Sequence, residues 1–194
     1  MNNVLEQQNQ LQAEAKALLE NTAVLEFLSK LGNPIQMGSS VTGLMVYPDI
    51  DFSVQNDNYS IQDAIALTNS LFKRLGVTSF KIADFRHTKD EGAGYYLGFE
   101  IPYNGKTWHI DATISKVGPI VTNPPEMQAW IENMNNDDRL TILELKKQLI
   151  DAKRYVGARS QPPYTFRSSH LYEGVLIGDA KTVADLENYF KKPA

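Results

Sequence analysis

Between Asn2 and Lys30, apolar residues recur at Leu5, Leu11, Ala15, Leu18, Leu19, Val24, Leu25 and Leu28, a broken helical period that predicts one or two amphipathic helices. Gly32-Asn33-Pro34 stops them, Ile35-Gln36-Met37 starts an extended segment, and Gly38-Ser39-Ser40 ends it in a glycine-containing turn. Asp49 to Val54 alternates strictly, so Ile50, Phe52 and Val54 face a core while Asp49, Asp51 and Ser53 share the opposite face. Ser60-Ile61-Gln62-Asp63 has the form of a capping box and opens a helix over 61–75, closed by Gly76. Residues 77–87 read as extended and 89–94 as a surface turn.

The clearest local signal is a hairpin. Tyr95 to Tyr103 and Lys106 to Ser115 flank Asn104-Gly105, the pair that best tolerates two positive-φ positions in a type I′ turn. A two-residue loop sets Tyr103 opposite Lys106, Ile101 opposite Trp108, Glu100 opposite His109, and Gly98 opposite Asp111. Beyond Pro119 the pattern turns helical. One helix starts at Pro124-Pro125 and runs through Met134, and another is capped by Asp137 or Asp138 and runs to about Tyr155. After a proline-containing connector from Arg159 to Phe166 come two short helices, the second opening at Thr182-Val183-Ala184-Asp185. The expected organisation is an N-terminal helical segment at 1–31, an α/β core at 32–118 and a helical region at 119–194.

Composition narrows the class without changing this picture. The 194 residues are 42% hydrophobic and 22% charged, which excludes a disordered or collagen-like chain. No apolar run is long enough to span a bilayer, and the N-terminal residues lack the basic and apolar regions of a secretory signal, so the expected location is the cytoplasm, away from membranes. The absence of cysteine excludes disulfides, thiolate metal sites and cysteine nucleophiles. His87, His109 and His170 lack the spacing of a zinc hydrolase. A net charge of -4 is a poor basis for gripping nucleic-acid phosphates.

Three carboxylates remain to be explained: Asp49 and Asp51 on one strand face, and Asp111 within the apolar strand Trp108 to Ile114. Strand interiors disfavour aspartate. Carboxylates gathered within a few ångström repel, so they share protons or recruit a cation, and such hard oxygen ligands suit Mg²⁺ or Mn²⁺. Two aspartates at period two present their carboxylates from one face about 6–7 Å apart. Eleven residues before this pair, the turn at Gly38, Ser39 and Ser40 offers backbone N–H groups and hydroxyls to a phosphate.

Met37-Gly38-Ser39, then Asp49-Ile50-Asp51-Phe52, then Ile110-Asp111-Ala112 together resemble the nucleotidyltransferase superfamily of the DNA polymerase beta type. That family carries an apolar residue before Gly-Ser, an acid-apolar-acid-apolar strand about a dozen residues later, and a third acid on a later strand. Gly43 matches a second glycine common in the loop, while Pro48 and Val41 stand where many members have serine and alanine. The resemblance spans roughly residues 35–115. It implies a mixed β-sheet flanked by helices, with a helical C-terminal part, in which Asp49 and Asp51 hold two Mg²⁺ ions. Asp111 would complete the metal site and help deprotonate an attacking hydroxyl, with Gly38 and Ser39 on the phosphates of a nucleoside triphosphate.

The expected activity is therefore metal-dependent transfer of a nucleoside monophosphate to a hydroxyl, with release of pyrophosphate. The acidic charge balance favours a small-molecule acceptor over nucleic acid. Two other readings stand beside it: a non-catalytic nucleotide- or partner-binding protein of the same fold, and a transferase acting on an RNA end or a protein side chain. His109 and Glu100 read as a structural pair on the Asp111 face, and Lys146, Lys147, Lys153 and Arg154 as a solvated helix side. Arg159 and Arg167 are weaker candidates for a phosphate clamp, and Tyr95, Tyr96, Trp108 and Trp130 read as packing residues. The sequence leaves oligomeric state, acceptor and base preference open.

Overall fold

The computed structural model describes residues 4–58, 60–86, 94–116, 125–157 and 159–191. The turn read over 89–94 lies, but for Gly94, outside the described residues, as does His87. By their contacts, the residues form two compact units, one of residues 9–121 and one of residues 1–8 with 122–194.

In the first unit the chain runs through α1 (Val4–Asn21, from Asn9 onward), α2 (Val24–Leu31), β1 (Asn33–Met37), the four-residue α3 (Ser39–Thr42), β2 (Asp49–Gln55), α4 (Ile61–Leu75), β3 (Ser79–Asp84), β4 (Tyr95–Tyr103) and β5 (Lys106–Ser115). The strands form one mixed sheet in the order β1-β2-β5-β4-β3, antiparallel throughout except for the parallel pair β2 and β5. Alternation divides its residues cleanly. Ile50, Phe52, Val54, Leu97, Phe99, Ile101, Trp108, Ile110, Ala112 and Ile114 are all buried and join one core with Leu11, Ala15, Leu18, Leu19, Val24, Phe27, Leu28 and Leu31 of α1 and α2, and Ala64 of α4. The acidic residues of β2 and β5 are left on the opposite face.

Local chemistry explains these elements. Asn104 and Gly105 adopt φ of 48° and 72°, as a type I′ turn requires, and all four expected cross-strand pairs form. At α4 the Ser60 N–H and hydroxyl both donate to the Asp63 carboxylate, at 3.2 and 3.0 Å, while Gly76 ends the helix at φ 61°. Arg74 of α4 donates two parallel bonds to Glu26 of α2, at 2.6 and 2.7 Å. This fork, with Lys30, holds the Glu26 carboxyl down at about 2.

The second unit holds α5 (Pro125–Glu132), α6 (Asn136–Asp151), α7 (Ser168–Leu176) and α8 (Val183–Lys191). Helix α6 starts two or three residues earlier than expected, because the Asn135 side chain caps it by accepting from the Asp138 N–H at 2.9 Å. It also ends earlier, at Asp151: Lys153 takes a left-handed φ of 56°, and Tyr155 turns away to pair with Phe166. Helix α8 has the expected reciprocal cap between Thr182 and Asp185. Lys146, expected on a solvated side, is 1% exposed, and its ammonium lies 5.4 Å from the centre of the Tyr155 ring.

A Cβ at Gly105 would meet nothing within 4 Å, so its requirement for glycine is purely one of backbone conformation. Gly105→Ala is expected to lower unfolding free energy by about 1–2 kcal/mol, the cost of a left-handed L-residue, read by urea denaturation.

Candidate active site

The parallel register of β2 and β5 builds the site. It sets Asp51 directly opposite Asp111, and Asp49 opposite His109, so all three aspartates stand on one face of two adjacent central strands. All three are half-buried, and each offers a carboxylate oxygen within 4.8 Å of the others. In the hard-oxygen chemistry of this set the residues fit a divalent cation such as Mg²⁺ or Mn²⁺.

The Gly38 turn lies against this cluster. Gly38 has φ 68°, and a Cβ there would come 2.1 Å from Asp51 Oδ2, so glycine is required both by the backbone and by the close approach of the carboxylate. Residues 39–42, read as loop, wind into the short helix α3: the N–H groups of Val41 and Thr42 both donate back to the Gly38 carbonyl, at 3.1 and 3.2 Å. Ser39 and Ser40 are buried. The Ser40 hydroxyl donates to the Met37 carbonyl at 3.1 Å and accepts from Gln36 Nε2 at 3.0 Å, and the Ser40 carbonyl accepts from Gln12 of α1. Ser40 thus holds the turn in shape from behind.

One residue read as packing belongs to the site. Tyr96 of β4 shares the sheet face of Asp111 and donates its hydroxyl to Asp111 Oδ1 at 2.7 Å. Burial first, then this bond and the negative charge of Asp111, Asp49 and Asp51, push the phenol well above its ordinary range, so it keeps its proton at neutral pH. The Tyr96 ring lies 6.2 Å from that of Phe85, and the Lys81 ammonium stands 5.6 Å from its centre. The signal is present in the sequence: the Asn104-Gly105 register puts Gly98 opposite Asp111, and period two puts Tyr96 on the same face as Gly98. Tyr95 and Trp108 are buried core residues, as read.

Glu100 and His109 pair with each other, Oε1 to Nδ1 at 3.3 Å, in keeping with a structural role. Arg154, in the second unit, is engaged by Glu187 at 2.7 Å and by the carbonyls of Tyr164 and Pro163, and Lys147 by Asp151 at 3.2 Å. Arg167 caps the start of α7 in the same unit, and Arg159 is exposed.

No family model matches the chain, and no curated protein matches its sequence. Among solved structures, it resembles a chain of the GLD-2–GLD-3 poly(A) polymerase complex, with a TM-score of 0.53 and 13% identity over 98% of this chain and 64% of that one. It also resembles the polymerase core of TRAMP, an RNA surveillance complex, with a TM-score of 0.54 and 15% identity over 93% of this chain and 53% of that one. A cytoplasmic RNA terminal U-transferase gives a TM-score of 0.52 and 13% identity over 91% and 53%. The chain spans between about half and two thirds of the lengths of these three structures. Its fold, a mixed β-sheet flanked by helices, is the one these structures share, in keeping with the fold expected from the Gly38 turn and the three aspartates.

Proposed function

We propose that this chain is a divalent-metal-dependent nucleotidyltransferase that moves a nucleoside monophosphate from a nucleoside triphosphate to an acceptor hydroxyl. The observation that carries the reading is the convergence of Asp49, Asp51 and Asp111, within 4.8 Å of one another, beside a turn that admits only glycine. The three carboxylates would hold Mg²⁺ or Mn²⁺, which when bound supplies the positive charge that offsets negative charge on the phosphoryl oxygens. Gly38, Ser39 and Ser40 form the turn that would receive the triphosphate, with the Ser40 hydroxyl spent on the shape of the turn. The acceptor oxygen attacks the α phosphorus, its proton passes to the Asp111 carboxylate, the bond from the α phosphorus to the bridging oxygen breaks, and pyrophosphate leaves. Alignment and electrostatics do most of the work in such a transfer.

For the acceptor, the small molecule expected from the charge balance finds no support among the structural neighbours. Their names refer to poly(A) polymerase, RNA surveillance and RNA terminal transfer. We take an RNA end as the acceptor of first choice. Pyrophosphate release from each of the four nucleoside triphosphates, with a short single-stranded RNA or with a mixture of small alcohols, tests this choice. Transfer to the alcohols alone would reverse it, and nucleotide binding with no release to any acceptor would favour the non-catalytic reading.

Asp49→Asn and Asp51→Asn are each expected to reduce pyrophosphate release to background. Their melting temperatures should equal or exceed that of the parent, because repulsion between like charges is relieved. Retained turnover in both contradicts the assignment. Gly38→Ala, whose methyl group would displace the Asp51 carboxylate, is expected to lower turnover at least tenfold and to weaken Mn²⁺ binding, as followed by electron paramagnetic resonance.

A further inference from the structure

We infer that the Tyr96 hydroxyl is a positioning group for Asp111, a role that rests on the nucleotidyl-transfer reading and specifies how its third carboxylate is held. An aspartate in a cluster of three like charges is driven to rotate away from its neighbours, and two side-chain torsions leave it free to do so. The phenol opposes that rotation through its 2.7 Å bond to Asp111 Oδ1. A carboxylate has about four lone-pair positions, so one bond from Tyr96 orients Asp111 and leaves the others available.

The surrounding sheet makes room for this bond. Gly98 stands directly opposite Asp111, between it and Lys81 in one row across three strands. A Cβ at Gly98 would come 2.3 Å from the Tyr96 oxygen, 2.8 Å from its Cζ and 3.1 Å from Asp111 Oδ1. Any side chain there would fill the path by which the phenol, two residues earlier on the same strand, reaches across to β5. The ring is itself braced by Phe85 and Lys81, so the hydroxyl is delivered from a fixed support.

Proton acceptance by Asp111 belongs to the chemical step, whereas the triphosphate is received by the Gly38 turn. Losing the Tyr96 bond therefore lowers kcat and leaves KM for the nucleotide in place. Loss of an outer partner of a metal-binding carboxylate also weakens the metal, commonly about 10- to 100-fold.

Tyr96→Phe keeps the ring and removes only the hydroxyl. In the full chain it is expected to lower kcat for pyrophosphate release at least tenfold, with KM for the nucleotide within twofold of the parent. Mn²⁺ affinity, titrated by electron paramagnetic resonance without nucleotide, should fall about tenfold, with the melting temperature unchanged. Gly98→Ala, which pushes the phenol off the carboxylate from the other side, should reproduce the loss of kcat and of Mn²⁺ affinity. Parental kcat and parental Mn²⁺ affinity in Tyr96→Phe, or a raised KM with kcat kept, overturn the positioning role and leave the transferase reading intact. If the parent chain binds Mn²⁺ through Asp49 but releases no pyrophosphate, the transferase reading fails and the Mn²⁺ titration alone decides: equal affinity in parent and Tyr96→Phe rejects the role. A parent that neither binds Mn²⁺ nor turns over rejects both.

Discussion

Everything at the candidate site depends on the parallel pairing of β2 with β5. Antiparallel neighbours can be joined by a two-residue turn, but a parallel pair needs a long crossover, and here α4, β3 and β4 lie between the two strands in the chain. That detour places Asp51 and Asp111 side by side at the centre of the sheet. A slip of one residue in this pairing would send Asp111 into the face now occupied by Ile110 and Ala112, both 0% exposed. The hydrophobic face and the acidic face thus fix one another: the same alternation that buries Ile50 and Phe52 forces Asp49 and Asp51 together on the opposite side.

Three gathered carboxylates oppose folding of the chain that carries them. The burial of the other face is what tolerates this, with the sheet and the helices α1, α2 and α4 sharing a single apolar core. Around the acids the structure places specific restraints: the Gly38 turn against Asp51, the Ser40 bonds that brace the turn, and the phenol of Tyr96 on Asp111. Local strain and local repulsion at a site of this kind are supported by over-determined surroundings.

Much of this is legible from short-range chemistry. Strict alternation at Asp49 to Val54 discloses both faces of β2, and Asn104-Gly105 discloses the whole register of the hairpin, down to Gly98 opposite Asp111. The resemblance through Met37-Gly38-Ser39 and the acid pair leads to the fold that the structural comparisons bear out. What escapes is set at long range. Nothing local specifies that β2 pairs with β5 across the intervening α4, β3 and β4, and the acids converge only once the sheet is closed. Lys146 lies on a helix whose charged pattern looks solvated, yet tertiary packing buries it. Tyr96 passes for packing because an aromatic on a hairpin is most often that, and its hydroxyl counts only when the opposite glycine is weighed with it.

Among the described residues, the strand order puts β1 and β3 at the two margins of the sheet, the positions at which a foreign strand can add. Each margin carries a deterrent. Pro34 in β1 has no N–H to lend to an added ladder, and Lys81 near the middle of β3 would have to give up water on approach of a second edge. The same Lys81 that braces the Tyr96 ring therefore also discourages edge-to-edge aggregation, so that one side chain ties the order of the acidic face to the solubility of the sheet.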